Sequence, residues 1–244
     1  ASFADLVNDT ASILDSLAIS KAFVIAKDFG GWIAYALALL HPEKVAGIIT
    51  ANVLFMPPGA FTEHIVLPEG FYVSRWQQPG RAEADFGRFD VKTVVRNIYI
   101  MFCQSEMPIA GETEEIMDLV KPLTPLPPWM TEDDIATYGT LYEKNGFQTA
   151  LQVPYRTMHT VGSEVEDPKI EVPTLVIMGE KDYGMKVPGM EEYVRSGVMK
   201  KYVPNSETVY VPNGCHFLHE QFPHHVNQLI LHFLNRNRRH LTLV

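Results

Sequence analysis

The run Ala22-Phe23-Val24-Ile25-Ala26-Lys27-Asp28-Phe29-Gly30-Gly31-Trp32-Ile33-Ala34-Tyr35 constrains this chain more than any other. Phe23 to Ile25 is apolar and rich in β-branched residues, which predicts a buried strand. It meets one polar position flanked by small residues, then an apolar run long enough for a buried helix. Ala26, Gly30 and Gly31 are small where a strand turning sharply into a helix crowds its backbones. So tight a turn thrusts its central side chain into the open, and that side chain is Asp28. A helix N-terminus starting near Gly30 favours negative charge there. A carboxylate in such a place attacks carbon by displacement rather than by acyl transfer. The plainer alternative is a solvated Asp capping the helix.

The flanking pattern is α/β. Residues 3–17 carry apolar side chains at helical spacing, the helix after Asp28 stops at His41-Pro42, and Val45–Ala51 reads as a second buried strand. Strand, helix, strand is the unit of a parallel sheet. The character changes after Met56-Pro57-Pro58-Gly59. From there to about residue 165 the chain reads as helices broken by prolines: Val91–Phe102, Glu114–Val120 and Thr131–Asn145, the last with Thr131 and Asp134 as an N-cap pair. Pro122 to Pro128 reads as a rigid hinge. The α/β pattern resumes at Pro173, with a strand running into Gly179-Glu180-Lys181-Asp182 and a helix at about 189–197. A strand over 208–211 follows, running into Asn213-Gly214-Cys215-His216, and a final helix starts at Pro223. The expected organisation is an α/β core in two parts, 1–63 and 166–244, with a helical cap inserted over 64–165.

At 244 residues the chain is long enough to bury a substantial core. Its net charge of −9 argues against a nucleic-acid or anionic-membrane partner. The basic cluster Arg236, Arg238, Arg239 and His240 reads as a solvated tail. Cys103 and Cys215 are the two cysteines, too few for a disulfide framework and without metal-ligand spacing. They favour a reducing, cytoplasmic compartment. No signal peptide and no membrane-length apolar run is evident.

Asp28, Asp182 and His216 each fall just beyond the C-terminal end of a predicted parallel strand, the edge where α/β sheets bind ligands. Their order, nucleophile then acid then histidine, is that of the α/β-hydrolase triad. Asp182 would hold the His216 imidazole and His216 would activate a water, with His219 a competing base. The chain resembles the α/β-hydrolase-fold epoxide hydrolases, most of all those of plants. The likeness rests on the elbow Ala26-Lys27-Asp28-Phe29-Gly30-Gly31 and on the segments 68–77 and 79–86. It rests also on Tyr142-Glu143-Lys144-Asn145-Gly146-Phe147, Pro154-Tyr155-Arg156, and Gly214-Cys215-His216-Phe217 followed by Glu220.

That resemblance implies that Tyr72 and Tyr155 bind and protonate the epoxide oxygen, and that Phe29, Trp76 and Phe217 line the substrate site. A small apolar epoxide and water would be the partners of a monomer or homodimer, with no metal or organic cofactor. Two departures stand out. Relatives usually have His before the nucleophile and Trp after it, where this chain has Lys27 and Phe29. Phe29 has no ring N–H to hold a halide, which argues against the alternative of a haloalkane or haloacid dehalogenase-like hydrolase. The strands that precede the elbow in the family, with their oxyanion loop, are expected to be absent from this chain. That leaves a non-catalytic small-molecule binding protein as the reading from a different class.

Overall fold

The computed structural model describes residues 2–57, 67–157 and 165–241. Four parallel strands form one sheet in the order β1 (Ala22–Lys27), β2 (Val45–Ala51), β3 (Thr174–Gly179), β4 (Ser206–Val211). The β1–β2 register shifts once, between Ala22 and Phe23; beyond it Ile25 lies opposite Ile49, and across the other pairs Ala51 lies opposite Ile177 and Gly179 opposite Val211. Strands in such a sheet are covered on both faces, which is why β2 and β3 are buried along their full length.

Alternate side chains serve the two faces. Ile48, Val176 and Met178 pack against the helices α1 (Phe3–Ser16) and α2 (Phe29–Leu40) and the helix Met190–Ser196. Ile49, Leu175 and Ile177 pack against the helix Pro223–Asn237 through Val226 and Phe233. Arg236 on that helix pairs with Glu207 of β4, so the basic cluster begins on an ordered helix rather than in a tail.

Between β2 and β3 lies the helical segment, with its own apolar core. The expected helices Val91–Phe102 and 131–145 form, the latter as Glu132–Asn145 capped reciprocally by Thr131 and Asp134. The stretch expected as a helix over 114–120 tightens instead into a 3₁₀ turn, Ile116–Leu119. Three further helices form that periodicity did not signal: Tyr72–Trp76, Arg81–Phe86 and Gln148–Thr157. The first two are too short for a periodic signal, and the third carries Pro154 in its interior. The expected boundary at 63/64 lies outside the described residues.

Two ties join this segment to the sheet. Glu220, just past His216, accepts hydrogen bonds from the hydroxyls of Tyr99 (2.9 Å) and Tyr138 (3.0 Å), one on each long helix. Phe3 of α1 packs with Phe29 and Trp32 in the same apolar cluster as Tyr72 and Tyr155. Within the segment, the buried Arg75 guanidinium bonds to Glu69 (3.1 Å) and the Gly111 carbonyl (2.8 Å), anchoring the loop ahead of the 3₁₀ turn.

Two glycines differ in what they tolerate. A Cβ on Gly179 would stand 2.3 Å from the Gly214 carbonyl oxygen, whereas one on Gly30 would meet only Ala26 Cβ at 3.9 Å. The crowding expected at the elbow is at Gly31, where a Cβ would come within 3.0 Å of Val53. Gly179→Ala is therefore expected to cost about 1–3 kcal/mol or more, and Gly30→Ala to be neutral or mildly stabilising. Urea unfolding of the two variants checks this; equal midpoints would contradict it.

Candidate active site

The elbow forms as a strained turn. Asp28 has φ +53° and ψ −138°, a left-handed backbone that a non-glycine residue adopts at a cost. Its Oδ1 accepts the Phe29 N–H at 2.6 Å, so the backbone donor next to the turn is engaged by Asp28 itself. Its Oδ2 lies 2.8 Å from His216 Nε2. On the other side of the ring, Nδ1 lies 3.0 Å from Asp182 Oδ2. Asp182 and His216 are both buried, and Asp182 also accepts the Gly184 N–H at 2.8 Å.

Three backbone devices bring these residues together. Lys181 N–H donates to the Gly214 carbonyl at 2.9 Å, joining the loop after β3 to the loop after β4. The close approach of Gly179 to Gly214 permits that junction. Asn52, at the end of β2 with φ +59°, donates through Nδ2 to the carbonyls of Cys215 (3.2 Å) and His216 (3.0 Å). Its Oδ1 accepts the Gly179 N–H at 2.7 Å. One amide thus pins both loops.

A cavity of about 140 Å³ opens on this cluster, lined by Asp28, Phe29, Trp32, Tyr72, Tyr183 and His216 among other, mostly apolar residues. The Tyr72 and Tyr183 hydroxyls are 2.9 Å apart. Tyr155 packs edge-on against Phe29 (5.1 Å between ring centres), and its hydroxyl has no protein hydrogen-bond partner among the described residues. Arg156, its neighbour, is held by Glu83 at 2.7 Å, which fixes the Gln148–Thr157 helix against Arg81–Phe86. Tyr155 itself lines a second cavity of about 190 Å³, together with Trp76, Tyr99 and Phe217. Of the three residues expected to line the substrate site, Phe29 lies beside Asp28, while Trp76 and Phe217 lie in this second chamber. Rings of Phe29, Tyr72 and Tyr155 form the partition.

The alpha/beta hydrolase fold family matches residues 1–223. Epoxide hydrolase 3 of Siraitia grosvenorii is 31% identical over 242 residues, which cover 95% of this chain and 75% of that protein. The chain belongs to the α/β-hydrolase-fold epoxide hydrolases. The structure of potato (Solanum tuberosum) epoxide hydrolase I superposes with a TM-score of 0.83 at 27% identity, covering 96% of this chain and 76% of that one. A Vigna radiata epoxide hydrolase variant superposes with a TM-score of 0.86 at 28% identity and the same coverage. These likenesses decide for the enzyme over the binding protein. No helix among the described residues is long and apolar enough to cross a membrane.

Electrostatics in this epoxide hydrolase follow from the geometry. Each ring nitrogen of His216 faces a carboxylate, an acceptor without a proton to give, so the fully bonded ring is the imidazolium. Burial opposes that charge, but the Asp182 and Asp28 carboxylates outweigh it and raise the His216 pKa to about 9. Burial likewise opposes charge on Asp28, yet the His216 hydrogen bond and charge, with Lys27, carry its carboxyl well below the usual range. Lys27 Nζ stands 4.0 Å from Asp28 Oδ2 and 4.5 Å above the Phe217 ring. Burial pushes the Tyr72, Tyr155 and Tyr183 phenols far up, with the Asp28 charge adding to it. All three therefore keep their protons. His219, the competing base, turns to Glu220 (3.4 Å) outside the first cavity, and burial draws its pKa down to about 4.

Sequence reasoning missed Asn52 and Tyr183. An Asn directly after a predicted buried strand is a signal for a left-handed turn and was available for Asn52. Tyr183 gave none, because its partner Tyr72 is 111 positions away.

The raised His216 pKa ties stability to pH. A group whose folded pKa lies above its unfolded value stabilises fully below the unfolded value, near 6.5, and that contribution is lost as pH climbs towards about 9. Relative to His216→Gln, wild-type unfolding free energy is expected to fall by on the order of 3 kcal/mol across that window. Denaturant titrations at several pH values check this, and a pH-independent difference would contradict it.

Proposed function

We propose that the chain converts a small, apolar epoxide and water into a vicinal diol through a covalent ester on Asp28. The carrying observation is that Asp28 lies on the cavity wall with one oxygen bonded to Phe29 N–H and the other to His216. A carboxylate so held is ionised, aimed and kept from proton capture.

In the first step an Asp28 oxygen attacks an epoxide carbon, the ring C–O bond breaks, and the departing oxygen takes a proton from a phenol. Tyr72 and Tyr155 are the donors. When Tyr183 donates to Tyr72, the Tyr72 proton is left free to point at the epoxide oxygen. The Asp28 charge holds these phenols' pKa values up, so its loss as the ester forms eases release of a proton to the departing oxygen, while burial still favours return to the neutral phenol.

The second step needs a base, and the first step creates one. Esterified Asp28 is neutral, so the imidazolium loses one of its two counter-charges and its pKa falls towards the ordinary range. The proton it sheds restores the phenol, and neutral His216, still oriented by Asp182, draws a proton from water as that water attacks the ester carbonyl. The ester breaks at the acyl carbon, the diol leaves and the Asp28 carboxylate returns.

The helical segment over 64–165 serves in this reading as the cap, carrying both phenols over a core contributed by 1–63 and 166–244. Trp76 and Phe217 line the chamber that takes the apolar arm of the substrate beyond Tyr155. Two free cysteines fit a reducing compartment, the cytoplasm, as its place of work. The dehalogenase alternative is weaker, because the residue after Asp28 is Phe29, which offers no side-chain N–H to a halide.

Removing one oxyanion donor is expected to lower kcat by about 10²-fold or less, so Tyr72→Phe and Tyr155→Phe each retain activity while the double variant loses nearly all. Tyr183→Phe acts through Tyr72: it costs less than Tyr72→Phe and adds no loss in that background. Steady-state hydrolysis of an aryl epoxide by the five variants checks this; an active Tyr72→Phe/Tyr155→Phe enzyme would overturn the donor assignment. His216→Gln is expected to trap the ester, adding the mass of one substrate to the protein, and turnover with no adduct would count against the covalent route.

A further inference from the structure

Cys103 and Cys215 are 112 positions apart, and the fold places their Sγ atoms 2.7 Å from each other. Cys103 terminates the helix Val91–Phe102 between β2 and β3. Cys215 lies on the loop after β4, immediately before His216. Its backbone is held on both sides: the N–H donates to Gln221 Oε1 at 2.8 Å, and the carbonyl accepts from Asn52 Nδ2 and Leu218 N. A disulfide bond is about 2.05 Å long, so closure requires the sulfurs to approach by only about 0.7 Å. Cys103 is half-buried, and an open cleft of about 440 Å³ lined by Cys103, Ser105, Trp129, Lys181 and Cys215 reaches the pair. The contact between the two sulfurs draws the Cys215 thiol below its ordinary range and pushes the Cys103 thiol up, which favours thiolate at Cys215. The reaction mechanism proposed above uses neither.

We infer that Cys103 and Cys215 are a reversible dithiol–disulfide site, oxidised by a hydroperoxide, whose closure clasps the Val91–Phe102 helix to the loop that carries His216. Cys215 thiolate attacks a peroxide oxygen, the O–O bond breaks, and water or an alcohol leaves once protonated, giving a sulfenic acid at Cys215. Cys103 sulfur then attacks that sulfur, the S–O bond breaks, the S–S bond forms, and a second water departs with the Cys103 proton. Two electrons pass to the peroxide, and a dithiol reductant returns them. Intracellular disulfides of this kind are typically transient and redox-sensing rather than structural.

The site is independent of the ester chemistry, and so is its test. The reduced full chain is treated with stoichiometric hydrogen peroxide and compared with a sample returned to dithiothreitol. Intact mass is expected to fall by two hydrogen atoms. Peptide mapping without reductant is expected to join the Cys103 and Cys215 peptides within one molecule, and amide exchange across Val91–Phe102 to slow. Dithiothreitol reverses all three, and Cys103→Ser shows none. Cys215→Ser is the second control, and the wild-type peptide map stands by itself if either variant folds poorly. Thiols that stay titratable, cysteines that cross-link between molecules, or a disulfide that leaves exchange of the helix unchanged would each overturn the inference.

Discussion

One imidazole between two carboxylates organises this molecule. His216 bonds to Asp28 on one side and Asp182 on the other, and each bond presupposes the loop geometry of a different strand. Two negative charges this close are tolerable only with positive charge between or beside them. The imidazolium supplies one and Lys27, 4.0 Å from Asp28, supplies the other, so the cluster is formally neutral. That balance explains how a carboxylate survives ionised beside a largely apolar cavity. It also makes the cluster responsive, because any event that removes the Asp28 charge changes the protonation of His216.

The scaffold delivers this geometry with little side-chain machinery. Parallel strands end on the same edge of the sheet, which places the loops after β1, β3 and β4 side by side. Final positioning depends on backbone. Asp28 occupies a left-handed conformation, Gly179 and Gly214 approach too closely for a side chain, and Asn52 uses both ends of its amide to bridge the loops. The phenols come from the other side, on helices anchored by buried or half-buried ion pairs such as Arg156 with Glu83.

What could be read from the sequence follows the same division. Apolar runs ending in Asp28, Asp182 and His216 are local signals, and parallel-sheet topology converts them into one site without further information. The longer helices, Val91–Phe102 and Glu132–Asn145, announce themselves by periodicity and by the Thr131–Asp134 cap. The Tyr72–Trp76 helix is a five-residue turn without a capping side chain, and Gln148–Thr157 runs through a proline, so tertiary packing rather than propensity forms them. The placement of Trp76 and Phe217 beyond Tyr155 was hidden for a related reason, since the partition between the chambers is built from rings far apart in the chain. Tyr72 with Tyr183 and Cys103 with Cys215 are likewise contacts over more than a hundred positions, invisible to any local pattern.

The proposed mechanism requires Asp28 to attack carbon itself. A general base activating water from the same position would use the same residues and the same distances, so geometry does not separate the two, whereas the origin of one oxygen atom does. In a single turnover in heavy-oxygen water, with enzyme in excess over an aryl epoxide, the nucleophile route predicts unlabelled diol and a labelled Asp28 carboxylate, label reaching the diol only in later turnovers. Fully labelled diol in the first turnover, with Asp28 unlabelled, would contradict it.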